Sequence, residues 1–408
     1  MSQSHPLRTF PATRAEALVC LEEFLPRAAD YAERRNFVEP GHANVSRLSP
    51  ATRTRLLLER AVSAAARARH GADAVAKFED EVWWRLYWKG WLELRPGVWH
   101  AYRTDLASLN RTPNERALAV AAGESGVEIM DHFARELLET GYLHNHARMW
   151  WASYWIHVER LPWQLGADFF LRHLLDGDAA SNTLSWRWVT GLHTPGKSYL
   201  VRRSNLERYV HPDLLASFRG GLERLENPLA VDLRYEAPPR PHFPEPDPFP
   251  SDSVAGGRCG LWLHDEDLLA EDSPLAPLRP LAVMAFAPES LWEMERYSPE
   301  KRDFLRRALA DGASRAGEYF QCPSGVLAVN DLETGMANWA VENRLETVIG
   351  LRPFTGLLAD RLPAITAAFA DRGIRLVLIQ RPEDVAAMSG ATAGFFKFRE
   401  KTASLRQG

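Results

Sequence analysis

Between Pro238 and Pro250 seven of thirteen residues are proline, and Gly256-Gly257 closes the stretch. Proline has no amide proton and a fixed φ, so neither a helix nor a central strand can run through such a segment. The composition predicts a stiff, extended linker over residues 230–257. It divides the 408 residues, a length that suits two domains, into a first domain at 1–229 and a second at 258–408.

The two sides of the break differ in hydrophobic period. Before it, apolar residues recur at helical spacing: Ala17, Leu21, Leu25 and Ala28 mark a helix over 14–35. Helices are predicted likewise over 51–68, 73–94, 126–139, 143–158, 165–175 and 205–225, with no period-2 segment. After it, short apolar runs at Cys259–Leu263, Leu281–Ala287, Val326–Val329, Thr347–Ile349 and Arg375–Ile379 alternate with helical patterns at Pro299–Phe320, Glu333–Glu342 and Gly356–Arg372. That alternation predicts a parallel, Rossmann-like sheet wrapped by helices. The fold class is therefore an all-helical domain followed by an α/β domain. No GxGxxG segment accompanies the sheet, so a conventional dinucleotide fingerprint is not present.

Composition excludes several functions. Cys20, Cys259 and Cys322 are too few and too scattered for a disulfide framework, a zinc site or an iron–sulfur cluster. The apolar runs are too short to span a bilayer, and no segment of signal-peptide type appears, so a cytoplasmic, monomeric protein without membrane contact is expected. Net charge is −4, which argues against general nucleic-acid adhesion. Residues 1–225 carry a slight positive excess, which leaves room for a local basic face. Tryptophan is the unusual residue: 11 of 14 lie between Trp83 and Trp188. Indoles are bulky and their N–H groups want partners. Their density here suits a flat ligand, stacked bases or electron transfer as well as a core.

Several polar residues share faces. Asn145, Arg148 and Met149 are spaced i, i+3, i+4, and Glu81, Trp84 and Trp88 i, i+3, i+7. Ser46 and Ser49 precede a helical pattern with Pro50 near its start. Free amides, two hydroxyls and Arg47 there can hold a phosphate, although an ordinary cap uses the same residues. Asp176 and Asp178 flank Gly177; alone, that triplet reads as a solvated turn.

The segments TGYLHNHARM (140–149), DGDAASNTLSWRW (176–188), EEFLPRAADYAERRN (22–36) and SRLSP (46–50), in this order, resemble the flavin-binding core of DNA photolyases and cryptochromes from Phe10 to about Tyr209. The resemblance implies an FAD site built from Tyr31, Val45, Ser46, Arg47, Leu48, Ser49, Phe78, Glu81, Arg85, Tyr142, Asn145, Arg148, Asp176, Asp178, Ser181 and Asn182. In it Arg148 lies against the isoalloxazine and pairs with Asp176, Asp178 meets the ring edge, and Asn182 sits near flavin N5. Glu81 and Trp84 would contact a flipped-out pyrimidine dimer, with Trp188, Met149 and His146 around it. Lys197, Arg202 and Arg203 are candidate phosphate contacts. Trp186 and Trp163 match two members of the family's tryptophan electron-transfer chain. The third would fall near Asn110, and Trp91 or Trp99 are substitutes. His146 departs from the arginine common in repair enzymes, so proton transfer is a second role for it.

The second half is similar to the photolyase α/β domain in CGLWLHDEDLL (259–269), YSPEKRDFLRRAL (297–309) and GFFKFREK (394–401). In most members that domain comes first, so the chain order resembles a circular permutation. The expected arrangement is two domains docked face to face, with GFFKFREK near the start of the helical one. In relatives this domain often holds a folate or deazaflavin antenna. The function implied is light-driven repair of cyclobutane pyrimidine dimers in DNA, a lyase reaction. The alternative is a blue-light photoreceptor without repair.

Overall fold

The computed structural model describes residues 10–194, 197–233, 237–243 and 257–407. The proline-rich stretch from Pro244 to Gly256 lies outside them.

The first half is helical: α1 (Arg14–Phe24), α2 (Tyr31–Arg34), α3 (Ser49–Arg53), α4 (Glu59–His70), α5 (Ala72–Glu93), α6 (Gly97–Leu109), α7 (Glu115–Ala121), α8 (Glu128–Thr140), α9 (Asn145–Ser153), α10 (Trp163–His173), α11 (Ala179–Thr190), α12 (Arg203–Tyr209) and α13 (Pro212–Ser217). Thr13 starts α1 through a capping box with Glu16, and Asp178 caps α11 by accepting from Ser181 N at 2.7 Å.

Three long predicted helices are broken. The helix over 14–35 passes into a 3-10 turn at Leu25–Asp30, where Pro26 removes a donor. The one over 51–68 turns at Arg55, whose φ is +53°, before α4 begins. The one over 205–225 is interrupted at Val210, which is extended ahead of Pro212. Helices α6 and α7 lack a clean enough apolar period to have been expected.

The second half holds five parallel strands: β1 (Cys259–Leu263), β2 (Ala282–Pro288), β3 (Ser324–Val329), β4 (Thr347–Leu351) and β5 (Arg375–Ile379), in the order β3-β2-β1-β4-β5. Register pairs Gly260 with Ala282 on one side and Val348 on the other. Gly260 is required there, because a Cβ would lie 2.4 Å from Leu345 and 2.7 Å from Trp339. The helices are α14 (Glu289–Met294), α15 (Pro299–Phe320), α16 (Leu332–Glu342), α17 (Leu362–Ala370), α18 (Pro382–Gly390), α19 (Phe395–Lys401) and α20 (Ala403–Gln407).

The core does not respect the linker. Phe10, Leu21, Phe24 and Leu57 share one apolar cluster with Leu261, Val283 and Ile349 of the sheet. Ala387, Ala391, Phe395 and Phe398, at the far end of the chain, are buried in the core of the helical half. GFFKFREK therefore packs on the middle of α5, where Phe395 stacks on Trp84, rather than near the start of the helical half. Its aromatic side chains fill the groove beside Trp84 and Tyr87.

Buried ion pairs lock the halves together. Arg55 Nη1 lies 2.9 Å from Asp267 and 2.8 Å from Asp384, and Arg381 binds both oxygens of Asp267 at 2.7 and 2.8 Å. Arg55 and Arg381 are both 1% exposed. Burial alone would push the Asp267 carboxyl up, but these two guanidiniums hold it far below the ordinary range.

Candidate active site

A cavity of about 680 Å³ opens between α5, α9 and α11, within the ~300–1,000 Å³ typical of small-molecule and cofactor sites. Every one of the sixteen residues that the sequence assigns to the flavin lines it: Tyr31, the Val45–Ser49 segment, Phe78, Glu81, Arg85, Tyr142, Asn145, Arg148, Asp176, Asp178, Ser181 and Asn182. They come from five separate stretches, and α5, α9 and α11 each present one face to the same space.

Arg148 and Asp176 face each other across it. Nη1 of Arg148 is 3.0 Å from both carboxylate oxygens, while Nε donates to Leu143 O at 2.7 Å. Arg85 adds a second cation: it pairs with Asp178 and donates to Asp176 O at 3.0 Å. Burial would raise the Asp176 carboxyl, but Arg148 and Arg85 overcome it and hold it at about 2. Asp178 is lowered against burial in the same way, by Arg85 and Lys89. Two carboxylates and two guanidiniums thus form a fixed charge lattice on one wall. Asn182 donates Nδ2 to Ala167 O at 2.8 Å, which sets the amide's orientation.

The phosphate-type segment takes a different form from the expected helix end. Helix α3 is a five-residue turn. Arg47 sits in the left-handed region at φ +54°, a conformation that non-glycine residues hold mostly where surrounding structure imposes it. Ser46 and Arg47 therefore come from a tight loop, and Ser49 from the first position of α3 with Pro50 behind it.

The lesion-side residues divide. Trp84, Asn145, His146, Met149 and Trp188 line the cavity, and Trp188 is 36% exposed. Trp84 offers only part of its surface, because Phe395 stacks on it at 4.0 Å and 8°. Glu81 carries two cations that the sequence did not single out: Arg35 at 3.0 Å and Lys77 at 2.7 Å. The i, i+4 spacing of Lys77 was legible; Arg35, 46 positions away, was not. His146 is held rather than free. Its Nδ1 meets Asn36 O at 2.8 Å and its Nε2 meets Tyr199 Oη at 3.2 Å. Burial pushes it below the ordinary histidine range, against the Asn36 carbonyl contact, which raises it. Lys197 and Arg202 are not among the lining residues.

Trp163 is also outside the lining, but it extends the aromatic wall. Trp186, which does line the cavity, packs on Gly166, where a Cβ would come within 2.3 Å of its ring. Trp163 lies one turn earlier on the same helix and stacks on Tyr102 with centroids 5.4 Å apart. Tyr102 is 5.5 Å from Trp99, and Trp99 Nε1 donates to Asp360 Oδ2 at 2.8 Å. Asn110 follows the end of α6 and offers no ring, so Trp99, three residues before Tyr102 on that helix, is the tryptophan that continues the series. Trp91 instead packs against His193.

A helical domain with a deep polar and aromatic pocket, docked on a five-stranded parallel sheet, defines a two-part cofactor-binding protein. Residues 78–214 match the family described as the FAD binding domain of DNA photolyase. Over 191 residues the chain is 33% identical to a deoxyribodipyrimidine photo-lyase of Synechococcus, covering 44% of this chain and 39% of the relative. Over 186 residues it is 34% identical to the Thermus thermophilus protein of the same name, covering 44% and 42%. A bacterial class III photolyase structure from Agrobacterium tumefaciens aligns at 26% identity and a TM-score of 0.38, over 48% of this chain and 42% of that one. The chain spans about two fifths of the length of these relatives.

Proposed function

We propose that the cavity holds FAD and that the protein uses it to split cyclobutane pyrimidine dimers in DNA under light. One observation carries this reading. The sixteen residues named from family motifs converge on one cavity, and its charged wall is the Arg148–Asp176 pair that the resemblance requires.

The donor set fits the cofactor. Ser181 Oγ and Trp186 Nε1 are buried at the cavity wall without a protein hydrogen-bond partner, as expected of groups left for a ligand. Ser46, Ser49 and Arg47 would hold the pyrophosphate, Arg148 and Asp176 would flank the isoalloxazine, and Asp178 with Asn182 would meet its edge.

Bound FAD supplies the light-driven electron. The chain's own residues do the rest. Arg148, fixed by Asp176 and the Leu143 carbonyl, keeps a positive charge beside the pocket without needing water. Asn182, a neutral amide anchored on Ala167 O, presents no acid there. Glu81, steadied by Arg35 and Lys77, offers a carboxylate to the base edge of an extruded dimer, while Trp84 and Trp188 offer flat faces. Asn145 and Met149 suit cyclobutane dimers rather than the other major photoproduct.

An antenna is a separate matter. Open parallel sheets take ligands outside the C-terminal ends of strands at the switch point, here between β1 and β4. Lys89, Tyr297 and Phe354 fill that crevice down to a cavity of about 30 Å³, room for a water rather than a chromophore. A folate or deazaflavin would need another seat.

The test is illumination of purified, flavin-reduced protein with DNA carrying a single thymine dimer. Light-dependent loss of the dimer is expected. Flavin photoreduction with no loss of dimer would replace this reading with that of a photoreceptor.

A further inference from the structure

Helix α19 combines three properties beside the proposed lesion pocket. It is rigidly mounted: Phe395 and Phe398 are 5% and 0% exposed, and Arg399 and Arg406 bind the two oxygens of Asp80 on α5 at 3.1 and 3.0 Å. It touches the pocket wall directly, through the Phe395 stack on Trp84. It also places a large aromatic in solvent next to that stack. Phe396 is 72% exposed, its ring 6.3 Å from Phe395, with the Arg399 guanidinium 5.8 Å away.

A single exposed phenylalanine is ordinary by itself; Phe396 gains meaning from its place beside the Trp84–Phe395 stack and from its charged neighbours. The charge around it selects the partner. Lys397 and Lys401 face solvent on the same helix against one acid, Glu400, while Arg399 is paired with Asp80, on a chain whose net charge is −4. A second copy of an acidic chain is a poor match for that patch; a polyanion is a good one. Extruding a dimer from a duplex also leaves a gap in the stack, and apolar side chains commonly fill such gaps.

We infer that Phe396 is a wedge that enters the duplex where the dimer has left, with Lys397 and Lys401 on the flanking phosphates. This rests on the repair reading above. The surface therefore specifies the form of substrate: a dimer in double-stranded DNA gains from α19, and a dimer in a single strand does not, because a single strand has no partner stack to fill.

The experiment uses full-length, flavin-loaded protein and fluorescence anisotropy. The probes are a labelled duplex with one thymine cyclobutane dimer, the damaged strand alone, and the undamaged duplex. Phe396→Ala is expected to weaken binding to the damaged duplex ~10-fold, the scale of one lost intercalating contact, while single-strand binding stays within about twofold. Lys397→Ala with Lys401→Ala should weaken both forms and reduce the salt slope by about 2. Flavin content, read by absorbance, should be that of wild type in all variants. Phe396→Ala binding the damaged duplex like wild type, or losing both forms equally, overturns the wedge while leaving repair intact. A wild type that binds no dimer DNA overturns the repair reading and the wedge with it.

Discussion

Nη1 of Arg148 lies 3.0 Å from each carboxylate oxygen of Asp176, and the two side chains come from α9 and from the loop before α11. Asp176 is only 3% exposed and would keep Arg85 at 3.4 Å without Arg148, while Arg148 is 20% exposed, so loss of either partner leaves the other incompletely compensated. Arg148→Ala or Asp176→Ala should therefore cost less than the ~3–5 kcal/mol of a fully unpaired buried charge. We expect both variants to lose flavin on gel filtration. Flavin retention equal to wild type in both would show that the pair does not support the cofactor.

Glu81→Ala should lower dimer repair ~10-fold or more, a modest share of what positioned acid–base groups contribute, with little change in the flavin spectrum. Arg35 and Lys77 would lose their common partner. Arg35→Ala should therefore reproduce part of the defect, although it carries no carboxylate. The check is the quantum yield of repair in each variant. An Arg35→Ala protein with wild-type yield would mean that Glu81 needs no support from α2.

The Trp186–Trp163–Tyr102–Trp99 series ends on Asp360, whose side chain is 35% exposed. Trp99→Phe should slow light-driven reduction of bound flavin by an external thiol ~10-fold, about 1.4 kcal/mol in barrier. Asp360→Asn, which removes the proton acceptor at the indole, should lengthen the life of the tryptophan cation radical in transient absorption. Normal photoreduction in Trp99→Phe with a defect in Trp91→Phe would redirect the route.

Acid should weaken the fold in two stages. Burial depresses His144 and His146 and pushes His173 and His193 down to about 4. In the unfolded chain histidine titrates near ~6.5. Below that value the unfolded state binds more protons, so stability falls as pH drops from ~6.5. Asp176, held at about 2, acts later. Its contribution is complete above the unfolded carboxyl value of ~3.9 and is lost as pH falls toward the folded one. The histidine contribution to urea midpoints should be complete above ~pH 7 and decline below ~6.5. A midpoint constant down to pH 4 would contradict the neutral, buried state of these histidines.

Much of this protein was legible along the chain, for local reasons. The proline break, the change of hydrophobic period across it and the strands at Cys259–Leu263 and Arg375–Ile379 follow from backbone chemistry and from side chains a few positions apart. The lining of the cavity was legible through short motifs that carry a family resemblance, and helical spacing puts Asn145, Arg148 and Met149 on one face. What tertiary structure decided lies between residues far apart. Phe395 covers Trp84 across 311 positions, Asp360 accepts a hydrogen bond from the indole N–H of Trp99, Arg35 reaches Glu81, and the last helices leave the sheet to finish the helical core. No local pattern encodes such pairings. They depend on how the two halves pack, set by shape and by buried charges such as Arg55, which reaches Asp267 and Asp384 of the second half.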